Sequence, residues 1–164
     1  EEWEAIEAAV DNAVDEVIAF RKQEGEMLGS VLREKIENIR LLLDKVAPYE
    51  AERIERVKLR LYEGLKSLEG IEYDKNRFEQ ELIYYIEKLD ISEEKERLAN
   101  HLDYFVETLD NEQSQGRKLG FIAQEIGREI NTMGAKSNHS EIQRLVVQMK
   151  DELEQIKEQV LNVL

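Results

Sequence analysis

Cysteine is absent from these 164 residues, and proline occurs once. Without cysteine there is no disulfide, no thiolate metal site and no cysteine nucleophile. The single proline, Pro48, leaves long stretches free of the residue that most strongly interrupts a helix. No window approaches the ~18 uninterrupted apolar residues that a membrane span needs. Strand-like alternation, long internal repeats and low-complexity segments are missing too. So are the signatures of a nucleotide-binding loop, a nucleophile elbow, an HExxH zinc helix and an EF-hand. The opening residues, Glu1-Glu2-Trp3-Glu4, are acidic and already periodic, unlike a signal or transit peptide. With no initiator methionine, the chain reads as a fragment of a longer protein.

What is present is helical and acidic. The chain is 41% apolar and 37% charged, with a net charge of −14. That length suits one domain, and a mix of Glu, Lys, Leu and Ile is typical of long helices and coiled coils. The apolar fraction is too periodic for a disordered acidic tail. So acidic a chain is not expected to wrap nucleic acid wholesale, so any such contact must be local. A cysteine-free composition is compatible with the cytoplasm.

From Trp3 the apolar residues recur at Ile6, Val10, Ala13, Val17, Phe20, Leu28, Val31, Ile39, Leu42 and Val46, in steps of three and four with two longer steps of eight. This seam predicts a first helix to about Ala47, where Pro48 ends it or starts the next. Its length would be about 70 Å at roughly 1.5 Å per residue, which implies an elongated arm. A second helix is expected over 48–67, broken by Glu69-Gly70-Ile71-Glu72. Asp74 is a good N-cap for a third, through Leu89. Ser92 is the expected cap of a fourth, through Leu109. Asp110 to Gln115 reads as a polar loop and Gly116 onward as the fifth helix. Ser140 with Gln143 matches a capping box for the last. The fold class is therefore all-α: an elongated antiparallel helical bundle with long coiled-coil-like arms. Residues 1–110 form the arm and helical hairpins, 111–115 a loop, and 116–164 a two-helix region.

Breaks in the pattern mark candidate sites. Along the first seam the next inward position after Val17 and Phe20 is Glu24, followed by Gly25. A carboxylate there is either a cleft-held metal ligand or base, or a register-setting partner of an arginine. Residues 116–138 carry four basic residues, Arg117, Lys118, Arg128 and Lys136, against two acids, Glu125 and Glu129. Such a basic patch in an acidic chain suits an anion, or docks an acidic helix. Beside its apolar stripe run Gly120, Gly127 and Gly134, with Gly116 in line. Each glycine costs about 1 kcal/mol relative to alanine inside a helix, so something must approach that face closely. Another helix or a nucleic-acid backbone would serve. Glu125 and Glu129, one turn apart, either share a divalent cation beside Arg128 or form plain ion pairs. His101 shares a face with Glu94 and Arg97, an arrangement that would suit Mn²⁺ but is also ordinary for a helix. Asp74, Arg77 and Glu81 repeat an acid–base–acid spacing whose plainer reading is a cap plus an ion pair.

Taken in order, four blocks resemble the C-terminal region of the YicC/YloC family of bacterial endoribonucleases. They are Arg21 to Leu28 with Glu24-Gly25; Asp74, Arg77 and Glu81; Asp90-Ile91-Ser92-Glu93-Glu94 with Arg97-Leu98 and His101-Leu102; and Gly116-Arg117-Lys118-Leu119 with Phe121, Gln124-Glu125, Arg128-Glu129, Asn131-Thr132, Gly134 and Lys136. Gly120 and Gly127 depart from the family's usual Asp and Asn, so the three-glycine strip is not a family trait. The resemblance implies a divalent-metal-dependent endoribonuclease, using Mn or Mg, that acts on cytoplasmic RNA. Glu24, Glu125, Glu129 and His101 would hold the cation or activate the nucleophile. Arg117, Lys118, Arg128 and Lys136 would grip phosphates. A homo-oligomer, a hexamer around a central RNA-accommodating space, is also implied, as are other RNA-decay enzymes as partners. The alternative is a non-catalytic RNA-binding or oligomerisation module of the same protein.

Overall fold

A computed structural model describes residues 2–67, 70, 73–111 and 115–163. Among these residues there are six helices and no strand: α1 Glu2–Asp44, α2 Val46–Lys66, α3 Lys75–Leu89, α4 Ser92–Asn111, α5 Gly116–Lys136 and α6 Ser140–Val160. Pro48 falls in the first turn of α2, where a missing N–H breaks no intrahelical bond. Among the described residues no helix is long and apolar enough to cross a membrane.

The C-terminal half of α1 forms a four-helix bundle with α4, α5 and α6. Ion pairs fix the directions. Arg33 pairs with Asp110, and Arg40 with Asp103 at 2.6 Å, so each step of seven along α1 is matched by a step back of seven along α4. The two helices are therefore antiparallel. Lys35 meets Glu152 at 3.2 Å and ties α1 to α6. The apolar seams converge on Leu32, Ile36 and Ile39 of α1, Leu98, Leu102 and Phe105 of α4, Ile126, Ile130 and Met133 of α5, and Met149, Leu153 and Ile156 of α6. Burying one such side chain contributes about 1.5–3 kcal/mol, so this stripe is what holds the bundle.

Two regions project from the bundle. Every described residue of α1 from Glu2 to Met27 is exposed, including Trp3, Val10, Val17 and Phe20, so this half is an arm with an uncovered apolar face. At the opposite end, α2 and α3 form a hairpin closed by edge-on contacts of Phe78 with Tyr62 and Tyr73. The hairpin buries few residues fully: Val46 and Arg53 in α2, and none in α3.

Arg53 fastens that hairpin. It is 3% exposed. Its Nη1 donates to the Lys136 carbonyl at 2.9 Å and the Ser137 hydroxyl at 3.3 Å, and its Nη2 donates to the Leu89 carbonyl. One guanidinium thereby ties α2 to both the α3–α4 and the α5–α6 turns. Burial pulls its pKa below the ordinary arginine value, against the opposing pull of Glu50 and Asp90. Lys95 and Glu50 pair beside it at 2.5 Å.

Two expected caps are corrected here. Asp74 does cap α3, accepting from the N–H groups of Asn76 and Arg77. At α4, however, Ser92 is the first helical residue, and its N–H and hydroxyl both donate to Asp90. At α6 the cap is His139, whose Nδ1 accepts from the Glu141 N–H at 3.2 Å. The Gln143 amide donates instead to the carbonyls of Gly134 and Ser137, closing the α5–α6 turn. In both cases the acceptor is placed by the preceding turn, upstream of the serine. Of the expected breaks, residues 69, 71–72 and 112–114 lie outside the described residues, while Gly70 has φ +95°, a conformation that favours glycine.

Candidate nucleic-acid interface

The glycines of α5 decide what approaches that helix. A Cβ on Gly116 would lie 2.7 Å from the Val163 carbonyl, one on Gly127 3.0 Å from Leu153, and one on Gly134 3.0 Å from Val146. All three neighbours belong to α6 or the residues just after it, in antiparallel register. The glycine strip therefore seats α6, and the nucleic-acid backbone expected as its alternative occupant is excluded from that face. Gly120 stands only 3.9 Å from Val160, an ordinary contact.

Because Gly116 admits the end of α6, two grooves open on either side of that end. One, of about 820 Å³, lies between Arg117, Phe121 and Gln124 of α5 and Lys157, Glu158 and Leu161 at the end of α6. The other, of about 720 Å³, lies where the arm leaves the bundle and is lined by Arg21, Glu24 and Gly25 with Leu109 and Asn162. Val163 borders both. The first block and the start of the last are thus brought to one end of the bundle.

The individual candidates divide by environment. Glu24 is exposed, and a Cβ on the adjacent Gly25 would meet nothing within 4 Å. The seam position expected to face inward is open, because no described residue covers the arm there, so its carboxylate bears no burial cost. Arg117 is exposed and makes no ion pair among the described residues. Lys118 stands 5.2 Å above the Tyr104 ring. Glu125 and Arg128 form a surface pair at 3.8 Å. Glu129, by contrast, is buried, and His101 is half-buried.

The register of α4 against α5 relates those two. Lys136 meets Glu94 at 2.6 Å. Seven residues in from that pair on each helix, His101 of α4 and Glu129 of α5 occupy matching register positions. They form no ion pair. Among the described residues no three His, Asp or Glu side chains gather closely enough to hold a metal ion. Glu24, Glu125, Glu129 and His101 are therefore spread along the molecule rather than assembled within one chain.

Lys136 sits at the hairpin end. Besides Glu94, which is buried, it donates to the Asp90 carbonyl at 3.3 Å. Asp90 itself is held below the usual carboxylate pKa, chiefly by the Ser92 hydroxyl, against a smaller opposing effect of burial; the Ser92 and Ile91 amides and Lys136 add to the lowering. Arg53 escaped the sequence reading, and Phe121 entered it only as part of the fourth block, with no role at the site. Phe121 left a signal, being an aromatic residue off the apolar stripe of its own helix.

Residues 46–164 match the model of the family described as endoribonuclease YicC-like, C-terminal. The chain belongs to this YicC-like family. It is 33% identical to the probable endoribonuclease YicC of Clostridioides difficile over 98% of its own length and 56% of that protein's. It is 32% identical to the probable endoribonuclease YicC of Haemophilus influenzae over 94% of its length and 54% of that protein's. The chain thus spans about half the length of these relatives. Within this YicC-like region, the matched residues include α2 to α6 but not the arm. Gly120, expected from the resemblance to be a departure, has room for a side chain, so no backbone contact enforces glycine there.

Proposed function

We propose that this chain is the C-terminal helical region of an endoribonuclease that cleaves cytoplasmic RNA with a divalent cation, Mn or Mg. The observation that carries the reading is the family match over residues 46–164, set beside the start of α5, which lies with Arg21 and Glu24 at the arm end of the bundle. Arg117 and Arg128 are the phosphate contacts best placed for solvent, with Lys118 beside them. Lys136, engaged with Glu94 and Asp90, serves the hairpin junction first.

The donor chemistry suits a hard cation, since carboxylate oxygens and an imidazole are its usual ligands. Glu24 and Glu125 are solvent-facing, and His101 with Glu129 offers a second pair. Since no three of these converge in one chain, the remaining ligands come from a second copy or from the RNA phosphate. The cation would neutralise charge developing on the phosphodiester. The chain's own task is to orient the strand with arginines and to hold carboxylates where a proton must move.

The exposed apolar face of the arm supports assembly as a homo-oligomer, for which a hexamer is the proposed form. The same face favours the second reading, a non-catalytic RNA-binding or oligomerisation module whose catalytic residues lie elsewhere in the longer protein. The test is cleavage of a labelled structured RNA by the full-length protein in Mn²⁺. Glu24→Gln and Glu125→Gln are each expected to slow cleavage by about two orders of magnitude or more without loss of helicity. Unchanged rates in both would move the chemistry out of this region and favour the second reading.

A further inference from the structure

Phe121 is 56% exposed on α5, although the helix has an ordinary apolar stripe to bury. It faces the groove of about 820 Å³ beside the end of α6. Arg117 lies one turn before it and Gln124 one turn after, so the three share a face. Gly120, its immediate neighbour, leaves the floor beside the ring without a side chain. Across the groove stand Lys157, which pairs with Glu154 at 2.7 Å, and Glu158.

We propose that this groove is a subsite for single-stranded RNA, in which Phe121 stacks on a base and Arg117 holds the adjacent phosphate. The proposal rests on the endoribonuclease reading and deepens it by naming where the strand is held. An exposed aromatic ring beside a guanidinium with no ion pair among the described residues is the combination that single-strand binding uses: the ring accepts any base face, and the cation tracks the backbone. Arg117 and Phe121 are separated by about 6 Å along the helix axis, the reach from a base to its own phosphate. Gln124 carries both donors and acceptors and can pair with the edge of the stacked base. A duplex cannot enter in this way, because its bases are already stacked on each other. Lys157 is already paired with Glu154, so Arg117 is the lining cation left without an ion-pair partner among the described residues, and it suits an anionic group beside the ring.

The test uses the full-length protein and a fluorescein-labelled single-stranded RNA decamer, with affinity read by anisotropy. Phe121→Leu keeps an apolar residue at an exposed position, and circular dichroism checks that helicity is intact. It is expected to weaken binding by about 5- to 100-fold. Phe121→Trp is expected to retain affinity, and its added indole emission to be quenched when RNA binds. Arg117→Gln should weaken binding and reduce the slope of log K against log salt by about one. Wild-type affinity and cleavage in Phe121→Leu would overturn the subsite while leaving the endoribonuclease reading in place. A wild-type protein that neither binds nor cuts RNA would overturn both. If Phe121→Leu changes the mass by light scattering at unchanged RNA affinity, the groove holds another copy of the chain, and the subsite is wrong.

Discussion

Arg117 and Lys136 lie near opposite ends of one helix, and their surroundings differ in kind. At the hairpin end, Lys136 meets the buried Glu94, and Arg53 spans three carbonyl or hydroxyl groups from two turns. At the arm end, Arg117 makes no ion pair among the described residues and borders an open groove. Charge at the hairpin end joins elements that share little apolar surface. Charge at the arm end is available to a ligand. Residue type and spacing are alike at both ends; burial separates the two roles.

The largest expected effect of breaking this contrast is at Arg53. Arg53→Ala leaves the Leu89 and Lys136 carbonyls and the Ser137 hydroxyl without their donor, at a cost of about 3 kcal/mol in urea unfolding. Lys136→Met leaves the Glu94 carboxylate buried without its cation and should cost about 2 kcal/mol. Arg117→Met, the matched change at the other end, should stay within about 0.5 kcal/mol of wild type while weakening RNA binding. Equal stability losses for the two would erase the distinction.

Glycine substitutions sharpen it further. Gly116→Ala forces a Cβ against the Val163 carbonyl and should destabilise by about 1–2 kcal/mol. Gly120→Ala meets only Val160 at 3.9 Å, so the helix-propensity gain dominates and the variant should be about 0.5–1 kcal/mol more stable. Thermal unfolding with opposite shifts for the two checks both signs.

The smallest effect concerns acid. Asp90 has its pKa lowered in the folded state, chiefly by the Ser92 hydroxyl. Its contribution is thus fully present above the unfolded value, near pH 4, and is lost as pH falls through the lower folded value. Asp90→Asn keeps a capping oxygen but removes the titration. It should flatten the acid limb of the stability curve below about pH 4, by less than about 1 kcal/mol.

The helices were legible because a seam of threes and fours reports an amphipathic helix whatever covers it. For the same reason the seam did not reveal that Ile39 enters a core while Ile6, Val10 and Val17 face solvent, and it ran through the exposed Val31 where the core takes Leu32 and Ile36. Periodicity encodes a face, not its partner. The glycine spacing announced a close approach, but only the fold could name α6 as the neighbour. Arg53 was invisible beside Arg56 and Arg60, since its acceptors are carbonyls on turns distant in sequence. Glu24 and the Gly116–Lys118 block were legible as candidates because each breaks a local pattern. That both sit at one end of the bundle depends on the antiparallel order of α1, α4, α5 and α6.

Photo-crosslinking of the full-length protein to single-stranded RNA carrying 4-thiouridine tests the division between the two ends most directly. Adducts are expected on α5 around Arg117 and Phe121 and on α1 around Arg21 and Glu24. Adducts confined to the hairpin end, around Arg53 and Lys136, would contradict it.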